Sequence, residues 1–570
     1  MAPKKDPGDP VLTIGDKLKY FMIGHWRGVV VIITPIILIG LLAPFPSTRY
    51  QWTAFTLIIM AVFWVSECIP LAVTSFIPVV IFPLVDVSDT RTCCTAYMND
   101  SVMMFGGSLI LAYSVEQSGF HKRLAYYTVR LIGYSHFKLL FALCCVTTFA
   151  SMWITNTAAT TMMVPINFAL LKVFEDQKVL VVFEKNEDGE LVASDFTSCY
   201  FCATTFSATV GGIGTLVGTG TNLVFKGLFV VAYPDAPEYL SFPKFSAFAI
   251  PYLIFLEAAV YFYMIVLYMG FLRPHSKVAK ASHIPVTAQK AAKAQIESDI
   301  KKMGKLRYWE AMVLLLFGGA MIAFFCRSPQ LFPGWADIIQ DYYKIKDAKF
   351  IRDSACAMLV GFLMFLLPRD LSFFKNFTAK FKEDLPKGKT LSVLDWPTLN
   401  RTMPFAFSFL LGGGFALSTA ARTSGLNAKL GESMQALKDL PNGVVILIII
   451  IVVVLVTNFA SNVAVCNVFT PIAMQLAKEI NQNPLWYAIC SGFAASFCFM
   501  IPVGTPGNLI VQSSAKVPTG KMIVAGFGPS VTTIIISWFA IYLWAPVIWP
   551  DLYLMPGWIT GKTAPPAEIL

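Results

Sequence analysis

Polar and apolar residues alternate along this chain in long blocks. Apolar runs near 28–46, 52–67, 70–86, 101–119, 197–231, 244–272, 308–326, 353–368, 403–420, 485–513 and 523–547 fill most of its length. A helix needs about 20 such residues to cross the hydrocarbon core of a bilayer. Lipid offers no partner to backbone N–H and C=O groups, so these runs predict transmembrane helices that satisfy them internally. Two further stretches, 138–172 and 443–477, are too long for one crossing and are interrupted midway by polar residues. Each predicts a re-entrant hairpin that enters and leaves on one side, with irregular backbone tolerated only where it lines a cavity.

Composition agrees. Of 570 residues, 56% are apolar and 14% charged, with a mean hydropathy of +0.64; an ordinary soluble domain carries about 25% charged residues. A soluble multidomain enzyme and a disulfide-scaffolded secreted protein are excluded. The net charge of +10 forms no nucleic-acid face, because it sits in particular loops. The segment 273–307 holds nine basic residues against Glu297 and Asp299, 121–138 holds Lys122, Arg123, Arg130 and Lys138 with no acid, and 369–401 holds seven basic residues against four acidic ones. Cytoplasmic loops retain Lys and Arg. All three segments share the N-terminal side if 28–46 is the first crossing and neither hairpin crosses. The N-terminus is then cytoplasmic and, after eleven crossings, the C-terminus extracellular. Residues 1–27 are polar and mixed in charge, so the first span reads as a signal anchor. Most of the 12 cysteines lie in or beside apolar spans, where they read as small packing residues.

A long internal repeat organises the spans. Gly106-Gly107-Ser108 matches Gly412-Gly413-Gly414, Ser118-Gly119 matches Ser424-Gly425, Asn156 matches Asn462 and Pro165 matches Pro471, all at an offset of 306. A second motif follows at an offset of 286, Gly218-Thr219-Gly220-Thr221-Asn222-Leu223 against Gly504-Thr505-Pro506-Gly507-Asn508-Leu509. The polar insertion near 176–196 accounts for the change. The span 101–119 runs inward and its partner 403–420 outward, so the halves are inverted repeats. Secondary transporters have this architecture, with substrate held near the midplane between discontinuous helices.

The polar interruptions fall where that architecture needs them. Thr155-Asn156-Thr157 sits at one hairpin tip, Ser461-Asn462-Val463 at the other, and the two Gly-Thr-x-x-Asn motifs break the spans 197–231 and 485–513. Helix N-termini with Thr, Ser and Asn side chains offer donors to carboxylate oxygens, while carbonyls and lone pairs suit a small hard cation such as sodium. The motifs contain no Arg or Lys; Lys226 is the nearest base. Small polar residues in membrane helices often serve only close packing, but four such motifs in two matched pairs favour a binding site. Glu67, Glu116 and Glu257 are weaker candidates, as proton-relaying acids. The five histidines (His25, His121, His136, His275, His283) lie in loops or at span ends and suggest no metal site. Lys and Arg in 273–307 are topogenic or belong to an amphipathic surface helix.

At these residues the chain resembles a known family. The stretches Glu67-Cys68-Ile69-Pro70-Leu71-Ala72-Val73-Thr74-Ser75 and Ser151-Met152-Trp153-Ile154-Thr155-Asn156-Thr157, with the two Gly-Thr-x-x-Asn loops, are similar to the divalent anion/sodium symporters. That family carries citrate and dicarboxylates; the similarity spans nearly the whole chain and is greatest to insect members. It implies an all-α polytopic protein of eleven transmembrane helices plus two re-entrant hairpins, an inverted-repeat elevator-type transporter, not an enzyme. It also implies a homodimer in the lipid bilayer of the plasma membrane. The corresponding division is 1–137 N-terminal segment and first scaffold part, 138–272 first transport part, 273–307 basic cytoplasmic linker, 308–442 second scaffold part, 443–549 second transport part and 550–570 extracellular tail.

Carried over residue by residue, the substrate site comprises Thr155, Asn156, Thr157, Thr219, Gly220, Ser461, Asn462, Val463, Thr505 and Pro506. Sodium sites would use Ser151, Thr155, Asn156, Gly214, Gly218, Thr457, Ser461, Asn462 and Gly504; no other cofactor is implied. Departures are Thr155 for Ser, Val463 for a hydroxyl residue, and Thr221 and Gly507 where the family's Gly-Thr-x-Pro-Asn has proline. The expected cargo is citrate, succinate and related di- and tricarboxylates, moved by sodium-independent exchange or sodium-coupled symport. An anion channel or another ion-coupled organic-anion antiporter is the alternative; a channel would need a continuous pore lined by charged or carbonyl rings.

Overall fold

The structure is a computed structural model that describes residues 13–560 apart from 44, 186–188, 277, 278, 280, 281, 331, 348, 387 and 434–439. Lys277 and Lys280 of the basic linker, and the ends of the N-terminal segment and of the tail, lie outside the described residues. The long apolar runs form helices, and the only strands among the described residues are a hairpin pairing Phe183–Lys185 with Leu191–Ala193 inside the polar insertion.

The first half comprises α1 (Ile14–Leu38), α2 (Arg49–Ser66), α3 (Leu71–Thr74), α4 (Ile77–Leu84), α5 (Thr90–Tyr97), α6 (Asp100–Ser118), α7 (Phe120–Ile132), α8 (His136–Ser151), α9 (Asn156–Asp176), α10 (Asp195–Gly211), α11 (Gly220–Ala232) and α12 (Phe242–Tyr268). After α13 (Val286–Met303), the second half contains α14 (Tyr308–Phe325), α15 (Asp353–Leu366), α16 (Trp396–Thr402), α17 (Ala406–Thr423), α18 (Asn442–Thr457), α19 (Asn462–Glu479), α20 (Pro484–Ala494), α21 (Pro506–Ala515) and α22 (Thr519–Phe539). Among the described residues, five helical stretches are each long and apolar enough to cross a membrane alone: Ile14–Leu42, Asn156–Asp176, Phe242–Tyr268, Tyr308–Phe325 and Thr519–Ile548. The pair α16 and α17, bent by 59°, makes a sixth. Of the shorter apolar helices, His136–Ser151 and Asn442–Thr457 fall where the sequence reads as hairpin arms and Gly220–Ala232 where it reads as a broken span. Leu71–Leu84 and Asp353–Leu366, by contrast, fall on runs read as whole spans.

Three of the boundaries that differ from the hydropathy reading have a clear local cause. The first helix starts at Ile14, well before 28, because Thr13 caps it: the Asp16 N–H donates to Thr13 Oγ1 at 3.2 Å and the Thr13 N–H to Asp16 Oδ2 at 3.0 Å. The run 70–86 is two helices, broken between Thr74 and Ile77 just ahead of Pro78. The run 403–420 begins as a helix only at Ala406, past Pro404. The basic linker contains α13, which buries Ala288, Ala292 and Ile296 against α7 and α9, as an amphipathic surface helix should. Cys199 and Cys202, at Cys-x-x-Cys spacing on α10, are free and buried.

The repeated glycines explain how the halves interlock. A Cβ on Gly107 of α6 would sit 2.6 Å from Ala357 Cβ of α15, and one on Gly413 of α17 would sit 2.7 Å from Ser75 Cβ beside α3. Small residues let membrane helices approach closely, so these glycines are packing surfaces, and each faces the other half. Several buried charges are paired. Lys226 Nζ of α11 lies 3.1 Å from Asp353 Oδ2 of α15, Arg327 binds both Asp353 and Glu238, and Arg123 Nε meets Glu310 Oε2 at 3.0 Å.

Candidate functional site

Each hairpin tip is a helix break, and one pair of hydrogen bonds recurs in both. After α8 ends at Ser151, Thr155 caps α9, its Oγ1 accepting from the Ala158 N–H at 3.3 Å. The Ser151 hydroxyl donates to Asn156 Oδ1 (2.9 Å) and to the Ala208 carbonyl (2.6 Å). In the second half the Thr457 hydroxyl donates to Asn462 Oδ1 (2.8 Å) and to the Ala495 carbonyl (2.8 Å). Hydroxyl and asparagine keep the repeat offset, so the sequence repeat is also a repeat of bonding.

The broken helices obey the same rule. Asn222 Nδ2 donates to the carbonyls of Gly212 (3.0 Å) and Thr215 (2.7 Å), while Asn508 Nδ2 donates to those of Cys498 (3.3 Å) and Ile501 (3.2 Å). The motif asparagine is therefore the staple of its own loop. Loop and tip are then pressed together. A Cβ on Gly212 would fall 2.2 Å from Asn156 Oδ1, one on Gly218 2.5 Å from the Gly212 carbonyl and 2.9 Å from that of Ser151, and one on Gly504 2.7 Å from the Thr457 carbonyl. Hydroxyl, amide and carbonyl oxygens thus gather beneath each tip, a set of hard ligands that suits sodium. Gly214 is enclosed by Leu253 and Met152 side chains.

Between the tips lies a cavity of about 480 Å³, lined by Thr155, Asn156, Thr157, Thr219, Gly220, Ser461, Asn462, Val463, Thr505 and Pro506, which are all ten residues expected at the substrate site. Ser151, Gly214, Gly218 and Thr457 lie behind this wall; Gly504 is on it. The facing wall comes from residues the sequence did not single out: Phe105, Leu109 and Tyr113 of α6, and Thr402, Met403 and Phe407 around the α16–α17 bend. Among the described residues Glu116 is the only charged side chain on the lining, and it also borders a second chamber of about 460 Å³ that includes Lys122, Arg123, Arg307 and Glu310. At the other end of α6, near Asp100, Lys226 and Asp353, there remains a pocket of only about 50 Å³. The cavity thus adjoins, at Glu116, Ala158 and Thr161, a chamber lined by Lys122, Arg123 and Arg307.

Residues 24–550 match the family described as the sodium:sulfate symporter transmembrane region. The chain belongs to this family. It is 33% identical over 554 residues to the protein I'm not dead yet of Drosophila melanogaster, spanning 95% of this chain and 92% of that one. It is 31% identical over 563 residues to the Na(+)/citrate cotransporter of Rattus norvegicus (93% and 96%). It is 29% identical over 544 residues to the sodium-dependent low-affinity dicarboxylate transporter 1 of Caenorhabditis elegans (90% and 89%). The chain is accordingly a helical, polytopic membrane transporter and not an enzyme.

As a sodium:sulfate symporter family member, it puts its two departures from Gly-Thr-x-Pro-Asn to structural use. The Thr221 hydroxyl bonds Ser496 Oγ across the halves at 2.6 Å. Gly507 leaves room that Thr205 Oγ1 and Thr160 Oγ1 enter, 2.8 and 3.1 Å from where a Cβ would stand. The second tip has a feature with no counterpart in the first: Asn458 Oδ1 accepts from the N–H groups of Phe499 (3.3 Å) and Met500 (3.0 Å), where the first half has Met152. Gly218→Ala and Gly504→Ala should each cut transport by roughly tenfold or more, since backbone blocks the new methyl. Gly318→Ala, with open space around it, should match the wild type in the same uptake assay.

Proposed function

We propose that this protein carries di- and tricarboxylates such as citrate and succinate across the plasma membrane by alternating access. The carrying observation is the cavity itself, where two matched tips and two loops converge helix N-termini, hydroxyls and amides with no Arg or Lys on the lining. Such donors stabilise carboxylate oxygens, and the oxygens beneath each tip would hold compensating sodium. The names of the citrate and dicarboxylate carrying relatives support the same cargo. In this reading α8–α12 and α18–α22 form a body that moves as an elevator against α1–α7 and α14–α17, within a homodimer with a cytoplasmic N-terminus and an extracellular C-terminus. The apolar facing wall of Phe105, Leu109, Met403 and Phe407 favours sliding over a fixed pore.

Uptake of labelled citrate into proteoliposomes tests it, and absence of saturable uptake removes the reading. The same vesicles separate the coupling modes. Uptake unchanged when choline replaces sodium identifies sodium-independent exchange, and uptake that vanishes identifies symport.

A further inference from the structure

The middle of α12 carries the helix's only carboxyl group, Glu257. Its Oε1 accepts a hydrogen bond from Ser207 Oγ of α10 at 2.7 Å, while its Oε2 is buried with no partner among the described residues. The Thr148 hydroxyl and the Cys144 thiol of α8 lie against the same carboxyl.

No base faces it. From α8 the ionisable neighbours are the thiols of Cys144 and Cys145. On α10, Asp195 is at the far end and pairs with Lys521, the one basic side chain of α22. On α14, Glu310 is held by Arg123 and Arg307. On α12 itself the Tyr261 hydroxyl donates to the Phe137 carbonyl and Lys244 sits in the first turn. A carboxylate at membrane depth without a counter-charge is costly, and such residues mark ion or proton pathways. Two carboxyl oxygens, two hydroxyls and a soft thiol make a poor shell for a hard metal cation, which takes about six oxygens. A proton needs only one acceptor.

We infer that Glu257 binds a proton and that the moving body carries it across the membrane with the carboxylate, an inference that rests on the carrier reading above. The bonding places it in that body. Ser207 precedes Ala208, whose carbonyl takes the Ser151 hydroxyl that also holds Asn156. A Cβ on Gly211 would fall 2.3 Å from the Thr148 carbonyl, so α8 and α10 are locked together. Aligning Pro251 of α12 with Pro529 of α22 sets Glu257 opposite Ile535, so only one half carries this site. Each cycle binds one proton from the solution on one face and returns it on the other, lowering the net charge moved with the anion by one.

The test uses the full-length protein in liposomes with a trapped pH-sensitive dye, potential clamped by potassium and valinomycin, and an imposed citrate gradient. The wild type should acidify the lumen as labelled citrate enters. Glu257→Gln should keep labelled-citrate uptake and lose the acidification per citrate. Acidification per citrate equal to wild type in Glu257→Gln overturns the inference, as does a wild type that takes up citrate with no dye change. A wild type without citrate uptake removes the carrier reading and this inference with it. Should Glu257→Gln fail to reach the bilayer, Glu257→Asp decides. Retained acidification with a displaced pH profile of uptake supports the site, and an unchanged profile overturns it.

Discussion

Asn156→Ala and Asn462→Ala each lower labelled-carboxylate uptake by roughly 10–100-fold, the loss expected when about 1.5–3 kcal/mol of hydrogen bonding to a charged group disappears. Both residues line the cavity, and both take the hydroxyl that fixes the preceding turn, Ser151 for one and Thr457 for the other. Truncation therefore removes a ligand and frees the tip together. Because each substitution is confined to a turn, melting of the detergent-purified protein should stay close to wild type. Uptake at wild-type rates in both variants would withdraw these residues from the site.

The largest stability effect belongs to Asp353. Its carboxylate meets Lys226 Nζ at 3.1 Å and Arg327 Nε at 2.5 Å, and both Asp353 and Arg327 are almost fully buried. Asp353→Ala leaves Lys226 without its anion and Arg327 with Glu238 alone, a cost of about 3–5 kcal/mol for breaking a buried pair. Thermal unfolding of the purified variant should show a large drop or a failure to fold. Lys226→Met should cost much less, since Asp353 keeps Arg327. A melting temperature for Asp353→Ala within error of wild type would contradict the ion network.

The sequence exposes the tips and loops because Thr155-Asn156-Thr157, Ser461-Asn462 and the Gly-Thr motifs break long apolar runs, and polar atoms at that depth need a reason. It also exposes the repeat, whose offsets reappear in the bonds of Ser151 and Thr457. The facing wall was hidden. Phe105, Met403 and Phe407 look like any lipid-facing or core residue, and only the tertiary arrangement turns them toward the cavity. Glu116 stands near a span end, a place where an acid commonly anchors, and nothing local shows that it borders two chambers. That the motif asparagines Asn222 and Asn508 bind the backbone of their own loops is likewise visible only in the tertiary structure. Hydropathy averaging also blurred the break between Thr74 and Ile77, since both sides are equally apolar.

The glycine contacts between α6 and α15 and between α17 and Ser75 have a consequence for the chain as a whole. Each half supplies a surface against which a helix of the other half closes, so the two meet much as subunits do. Neither half can be deleted, duplicated or exchanged without opening a gap in the one that remains. The linker 273–307 therefore acts as a tether between partners that packing already joins. A side chain added at Gly107 or Gly413 would displace α6 or α17, whose Phe105 and Phe407 line the cavity that the halves share.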